Sequence, residues 1–251
     1  MTDTLNPKEF RFGRVVSRTF NTISGNLNVF FPLGLLLCVG PQMLVSIAAA
    51  GLGITSAAEQ NLLNMPANLV GIVFTGSLIW GALAAFDGRP VTFLECLRQG
   101  GANFGGQFGV GLLSGLGIVL GFVLLIVPGL FLMTAWSAAG AMRVAEGVNA
   151  SEALGRSHRL TKGARWPIFG LVLLLSISFL VTAFAIAALS DIAASAAQGR
   201  ASADMVDNLI LTPVFVLVFQ MVAGVGTASI YRELTGSIGG AAAASVAATF
   251  D

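Results

Sequence analysis

Of the 251 residues only 10% are charged and 55% are hydrophobic, with a mean hydropathy of +0.86. A water-soluble domain of this size carries about a quarter charged residues, so this chain cannot clothe itself in polar surface and lipid is its natural solvent. The net charge of +1 is itself uninformative, whereas its distribution along the chain is not; nucleic acid is not expected as a partner.

In chain order, about 28 polar and basic residues precede the first apolar run, which argues against a cleaved signal peptide. Within them, "KEFRFGRVVSRTFNTI" sets Phe12, Val16, Phe20 and Ile23 on one stripe and Arg11, Arg14 and Arg18 on another. That spacing predicts a basic amphipathic helix at the membrane surface. Apolar runs long enough to cross about 30 Å of hydrocarbon follow at 29–51 and 67–86. "PVTFLECLRQGGANF" then offers a second surface helix, with Thr92 and Glu95 at capping-box spacing and a stripe of Phe93, Leu97 and Phe104.

The apolar stretch 105–142 contains "LLIVPGLFLMTAW". As one helix it would reach about 57 Å at 1.5 Å per residue, roughly twice the hydrocarbon thickness. A hairpin turn at Pro128-Gly129 instead yields spans at 105–126 and 129–142, because proline lacks a backbone N–H and glycine accepts turn dihedrals. "NASEALGRSHRLTKG" supplies a third surface helix, with Asn149 and Glu152 at capping spacing and Ala153, Leu154, Ser157 and Leu160 on one face. Spans at 166–189 and 208–230 complete the series, and the small-residue segment 238–251 is expected to be a disordered tail.

Positive charge tests this count independently, since Lys and Arg gather on the cytoplasmic side of short loops. Six crossings with both termini inside put twelve of the 13 basic residues on one side, leaving only Arg200 outside. Five crossings give seven against six. The expected fold is therefore all-α: a polytopic membrane protein with six transmembrane helices arranged as three hairpins, each preceded by a cytoplasmic amphipathic interfacial helix. Aligning Ser17 with Ser157 and Phe20 with Leu160 brings the following apolar runs into register, as an internal repeat would.

Four segments carry a wider likeness: "FGRVVSRTFNTISGNLNVFFPLGLLL", "LLIVPGLFLMTAWSAA", "EGVNASEALGRSHRLTKGARWPIFG" and "IYRELTG". Together they resemble the glycerophosphoryl diester phosphodiesterase membrane-domain family of bacterial multispanning proteins, over nearly the whole chain except its C-terminal tail. The family takes its name from a membrane region fused to a phosphodiesterase in some members. Only that membrane region is matched here, so the resemblance implies a bacterial inner-membrane location and no catalysis.

The residues themselves give the same reading. His158 is the single histidine and lies in a basic surface segment, whereas metal-dependent phosphodiester chemistry needs several converging His and carboxylate ligands. No enzyme, no metal and no cofactor are expected. All twelve Asp and Glu fall in loops, tails or span ends, which disfavours an ion-coupled carrier. The two cysteines, Cys38 and Cys96, carry no disulfide signal.

Three constellations remain. Gln42 and Gln220 fall at comparable depth inside the first and last spans, either as an interhelical hydrogen bond or as a polar spot in a cavity. Gly105 and Gly109, Gly111 and Gly115, and Gly117 and Gly121 recur four apart, which suits close helix packing inside the bundle or a homo-oligomer interface. Arg156, Arg159, Lys162 and Arg165 cluster before Trp166. Together with Arg11, Arg14 and Arg18 they serve either positive-inside anchoring or recognition of anionic lipid headgroups. A non-enzymatic protein that interacts with lipids or organises a membrane complex is the leading expectation. An uncoupled transporter or flippase-like protein for a lipid or other amphiphile is the alternative.

Overall fold

The computed structural model describes residues 10–54, 56–196 and 211–250, and every regular element among them is α-helical apart from π-helical turns. Five helical segments are long and apolar enough to cross a membrane: Leu27–Gly51, Ala58–Phe86, Phe104–Leu124, Arg165–Leu189 and Thr212–Gly236.

Helix α1 (Phe12–Gly25) precedes a first span built from α2 (Leu27–Gly34), a π-helical turn (Leu35–Val39) and α3 (Gly40–Gly51). The wide turn comes just before Pro41, whose missing N–H leaves the regular ladder short of a donor. Helix α4 (Ala57–Phe86) starts at Ser56, whose Oγ accepts from the Glu59 N–H, and becomes the centre of the bundle. Its Phe74, Leu78, Ile79 and Ala82 are fully buried and pack with Phe30 and Leu33 of α2. Helix α5 (Phe93–Ala102) lies along α4 so closely that a Cβ on Gly100 would sit 2.5 Å from the Val73 carbonyl oxygen.

The Pro-Gly step does not make the hairpin turn. Helix α6 (Phe104–Leu124) ends at Leu125, which is fully extended (φ −165°, ψ 152°), and α7 (Ile126–Ala135) begins at the next residue. Pro128 stands third in α7, inside the first turn, where a missing N–H costs nothing because no carbonyl waits for it. Gly129 serves contact instead of turning: a Cβ on Gly121 would come within 2.9 Å of its Cα. The chain does fold back, at Leu125, three residues before Pro128.

Nor is 129–142 a single helix. Helix α7 stops at Ala135 and α8 (Ala139–Glu146) restarts after a three-residue turn. The pair still retraces α6, with Gly129 beside Gly121 at one end and Arg143 over Gly106 at the other. Breaking a helix within a bundle frees backbone polar groups that lipid cannot satisfy. Here the Ala135 carbonyl accepts from Ser157 Oγ at 2.9 Å and Thr161 Oγ1 at 3.3 Å, both side chains fully buried. These come from α9 (Ala150–Leu160) and the residue after it, so the third surface segment is wedged against the break with Ala153, Leu154 and Ser157 inward.

The remaining spans belong to α10 (Arg165–Ala196) and α11 (Thr212–Phe250), joined where Phe179 stacks on Phe215 and meets Phe219 at a tilt. Residues 208–210 of the expected last span lie outside the described residues. The backbone of α11 is helical to Phe250, through the segment expected to be disordered; a run of alanines has the highest intrinsic helix preference. The expected capping boxes do not form. Neither Thr92 nor Asn149 makes a side-chain cap; the Glu95 carboxylate accepts from Gln99 and that of Glu152 from Arg156.

Residues 231–233 hold one end of the bundle together. The Tyr231 hydroxyl donates to Glu146 at 3.0 Å, Arg232 pairs with Asp87 at 2.8 Å, and Glu233 receives Arg14 at 3.2 Å and Arg18 at 3.4 Å. Thr19 Oγ1 adds a buried hydrogen bond to Ser229 Oγ at 3.0 Å.

Three measurements check this architecture. Cys96 is enclosed, and burial with a contribution from Glu95 pushes its thiol up to about 11; Cys38 is enclosed as well. Impermeant maleimide should therefore leave the native protein unlabelled while Leu125→Cys and Arg159→Cys label from opposite membrane faces; labelling from one face would break the hairpin. Glu233→Gln should lower stability by about 1–3 kcal/mol, less than a fully buried pair because both arginines are partly exposed, read as a fall in melting temperature in detergent. The double variant Ser157→Ala, Thr161→Val should cost about 1–3 kcal/mol by leaving the Ala135 carbonyl unmet, while Ser151→Ala on the exposed face of α9 should be silent.

Candidate functional site

The basic residues singled out from the sequence divide into those already occupied and those that are not. Helix α1 buries Val15, Thr19 and Thr22, packs Val16 and Ile23 of the predicted stripe against the core, and leaves Phe12 and Phe20 exposed. Its Arg14 and Arg18 therefore meet the buried Glu233, which also accepts the Arg11 backbone N–H at 3.4 Å. Arg18 further lies 5.6 Å over the Phe86 ring. Arg156 sits between Glu146 at 2.5 Å and Glu152 at 2.6 Å, and these bonds, that to Glu152 foremost, raise its already high pKa. A guanidinium flanked by two carboxylates presents no net positive charge to an anion.

Arg159 and Lys162 are exposed and unpaired among the described residues. Arg165 is placed differently. Its guanidinium stacks 4.4 Å over Phe131, its Nη2 donates to the His158 carbonyl at 3.2 Å and approaches His158 Nε2 at the same distance, and its Nε is buried with no partner. Gly163, at φ +97°, makes the turn that carries the chain from α9 into α10; such a backbone is strained for any side chain.

Around Arg165 opens a cleft of about 580 Å³ between α7 and α10, lined by Val127, Leu130, Phe131, Thr134, Trp166 and Phe169. Its lining is apolar except for the Arg165 head and the Thr134 hydroxyl, which is committed to the Phe131 carbonyl. Trp166 is 84% exposed at its rim. A cleft of this composition takes hydrocarbon along its wall and a negative group at its cationic end. Phe131 and His158 were not among the residues the sequence suggested for headgroup binding; they stand 27 residues apart, and nothing in spacing alone joins them.

A second cavity, about 180 Å³, lies between the first span, α4 and α11. Gln42 and Gln220 both line it, together with Cys38, Asn68, Gly71 and Thr75. Gln42 Nε2 is 3.6 Å from Cys38 Sγ, Thr75 donates to the Gly71 carbonyl at 3.1 Å, and Gln220 Oε1 is buried without a partner. The two glutamines thus share a cavity and not a mutual hydrogen bond.

The glycine series splits by face. Gly109, Gly117 and Gly121 abut Ala150, Trp136 and Gly129, inside the chain's own bundle, whereas Gly105, Gly111 and Gly115 meet nothing. No three of His, Cys, Asp and Glu gather as a metal site among the described residues. No family model, curated protein or solved structure matches the chain.

Proposed function

We propose that this chain is a non-enzymatic protein of the bacterial inner membrane, related to the membrane-domain family it resembles, that crosses six times with both termini cytoplasmic and holds an anionic lipid in the Arg165 cleft. One observation carries the lipid reading: a buried, unpartnered guanidinium nitrogen at the end of an apolar cleft beside an exposed tryptophan. A phosphate oxygen would supply the missing acceptor, an acyl chain would cover Leu130 and Phe169, and Trp166 has the chemistry of headgroup depth. Arg159 and Lys162 add about 1 kcal/mol each toward an anionic surface.

Six crossings are supported by the polar ties at one bundle end. Asp87 follows the second span, Glu146 ends the return along α6, and α1 precedes the first span, yet all three reach neighbouring residues of α11. The alternative, an uncoupled carrier or flippase-like protein, draws support from Gln42 and Gln220 lining one cavity.

Native mass spectrometry of protein extracted from anionic membranes tests the leading reading. Arg165→Gln should lower retained anionic lipid about tenfold, the loss of one charge-assisted hydrogen bond, while Arg156→Gln should leave it unchanged. Equal retention by Arg165→Gln and wild type would overturn the cleft assignment. Lipid flip-flop above the empty-vesicle rate in proteoliposomes would favour the carrier instead.

A further inference from the structure

The second cavity is unlike the rest of the span interior. Gln220 stands eight residues into the last span and Gln42 nine from the end of the first, so both lie about 12 Å along their helices from the nearer end. At that depth an amide oxygen without a partner is costly, because hydrocarbon offers no hydrogen bond in exchange. Gln107 shows the ordinary solution, being buried and donating directly to the Gly140 carbonyl at 3.1 Å. Gln220 could be replaced by a leucine if it served packing alone. Instead its amide borders an open volume, and Gly71 keeps that volume free: a Cβ there would lie 3.7 Å from Gln220 Nε2.

The chemistry of the lining limits the occupant. Three primary amides (Gln42, Asn68 and Gln220), the Thr75 hydroxyl and the Cys38 thiol line the space, and no charged side chain does. An ion would forfeit several kcal/mol of hydration with no counter-charge. The volume, about 180 Å³, admits several waters at about 30 Å³ each, and not a phospholipid headgroup with its chains. Mixed donors and acceptors at close quarters match a molecule whose every polar group both donates and accepts. The π-helical turn at Leu35–Val39 sets Cys38 and, one turn later, Gln42 on this wall, and such turns recur at functional sites. Asn68 is exposed at the margin of the cavity, which gives the occupant a way in.

We infer that this cavity is a binding site for a small neutral polyhydroxyl molecule of about the size of glycerol, held by Gln42, Thr75 and Gln220, with water in its place when the ligand is absent. The site is separate from the Arg165 cleft and stands whether or not that cleft holds lipid.

Solid-state NMR of the full chain in bilayers, with glutamine side chains labelled with ¹⁵N, reads it directly. Magnetisation from water should reach the Gln42 and Gln220 amides and not Gln107. Adding glycerol should shift the first two resonances saturably while Gln107 stays fixed. Gln220→Leu should weaken the glycerol response at Gln42 at least tenfold. Gly71→Ala, which makes only an ordinary contact and favours the helix, should weaken it while the melting temperature holds. Dry amides, a glycerol response that does not saturate, or a shift with sodium chloride and none with glycerol would each overturn the proposal.

Discussion

Three consecutive residues at the end of the last span carry the architecture. Successive side chains on a helix point about 100° apart, so Tyr231, Arg232 and Glu233 reach three different neighbours: the end of α8, the end of α4, and α1. Two of these neighbours, α1 and α4, flank the first span, and the third, α8, ends the return along α6. Apolar contact cannot do this work, because lipid tails are as apolar as leucine and no hydrophobic force drives one span against another. Directional polar bonds at the membrane margin, with small residues that let backbones touch, decide which helices are partners. Glu233 is the extreme case, 7% exposed and meeting two arginines. Its burial makes sense only if α1 is docked.

The same economy of polar groups distinguishes the two cavities. Where the chain needs a buried polar atom for structure, it gives it a partner within the protein, as with Thr19 and Ser229 or the Ala135 carbonyl. Arg165 Nε and Gln220 Oε1 stand out because they have none among the described residues. They lie in different surroundings: one beside an aromatic-lined apolar cleft, the other in a cavity of amides and a hydroxyl. An unmet cation and an unmet neutral acceptor ask for different ligands.

Much of this was legible from the residues. Apolar run length located the five long spans to within a few residues, except that α4 starts well before residue 67 because Asn64 and Gln60 remain helical outside the apolar window. The depth argument set Gln42 and Gln220 at comparable depth and left open a mutual hydrogen bond or a shared polar cavity; they line one cavity without bonding each other. What sequence could not give was the choice between two faces of the same helix. On α1 the apolar stripe is divided: Phe12 and Phe20 are exposed, while Val16 and Ile23 pack against the core beside the buried Val15, Thr19 and Thr22. Charge counting likewise could not see that Arg14 and Arg18 were matched by Glu233, more than 200 residues away, or that Arg156 was held between the nearby Glu146 and Glu152. The motif "EGVNASEALGRSHRLTKG" is explained by this: Glu146, Arg156, Ser157, Thr161 and Gly163 serve the brace between α8, α9 and α10.

The interruption after Ala135 also has a bearing on biogenesis. The hydroxyls that satisfy its carbonyl lie 22 and 26 residues further along the chain, so they follow α7 out of the ribosome. Until Thr161 has emerged, the return along α6 carries an open acceptor that only water at the membrane margin or the insertion machinery can serve. The return along α6 is therefore completed after its own synthesis, by the segment that follows it, and α9 acts as the latch that holds this pair of short helices in place.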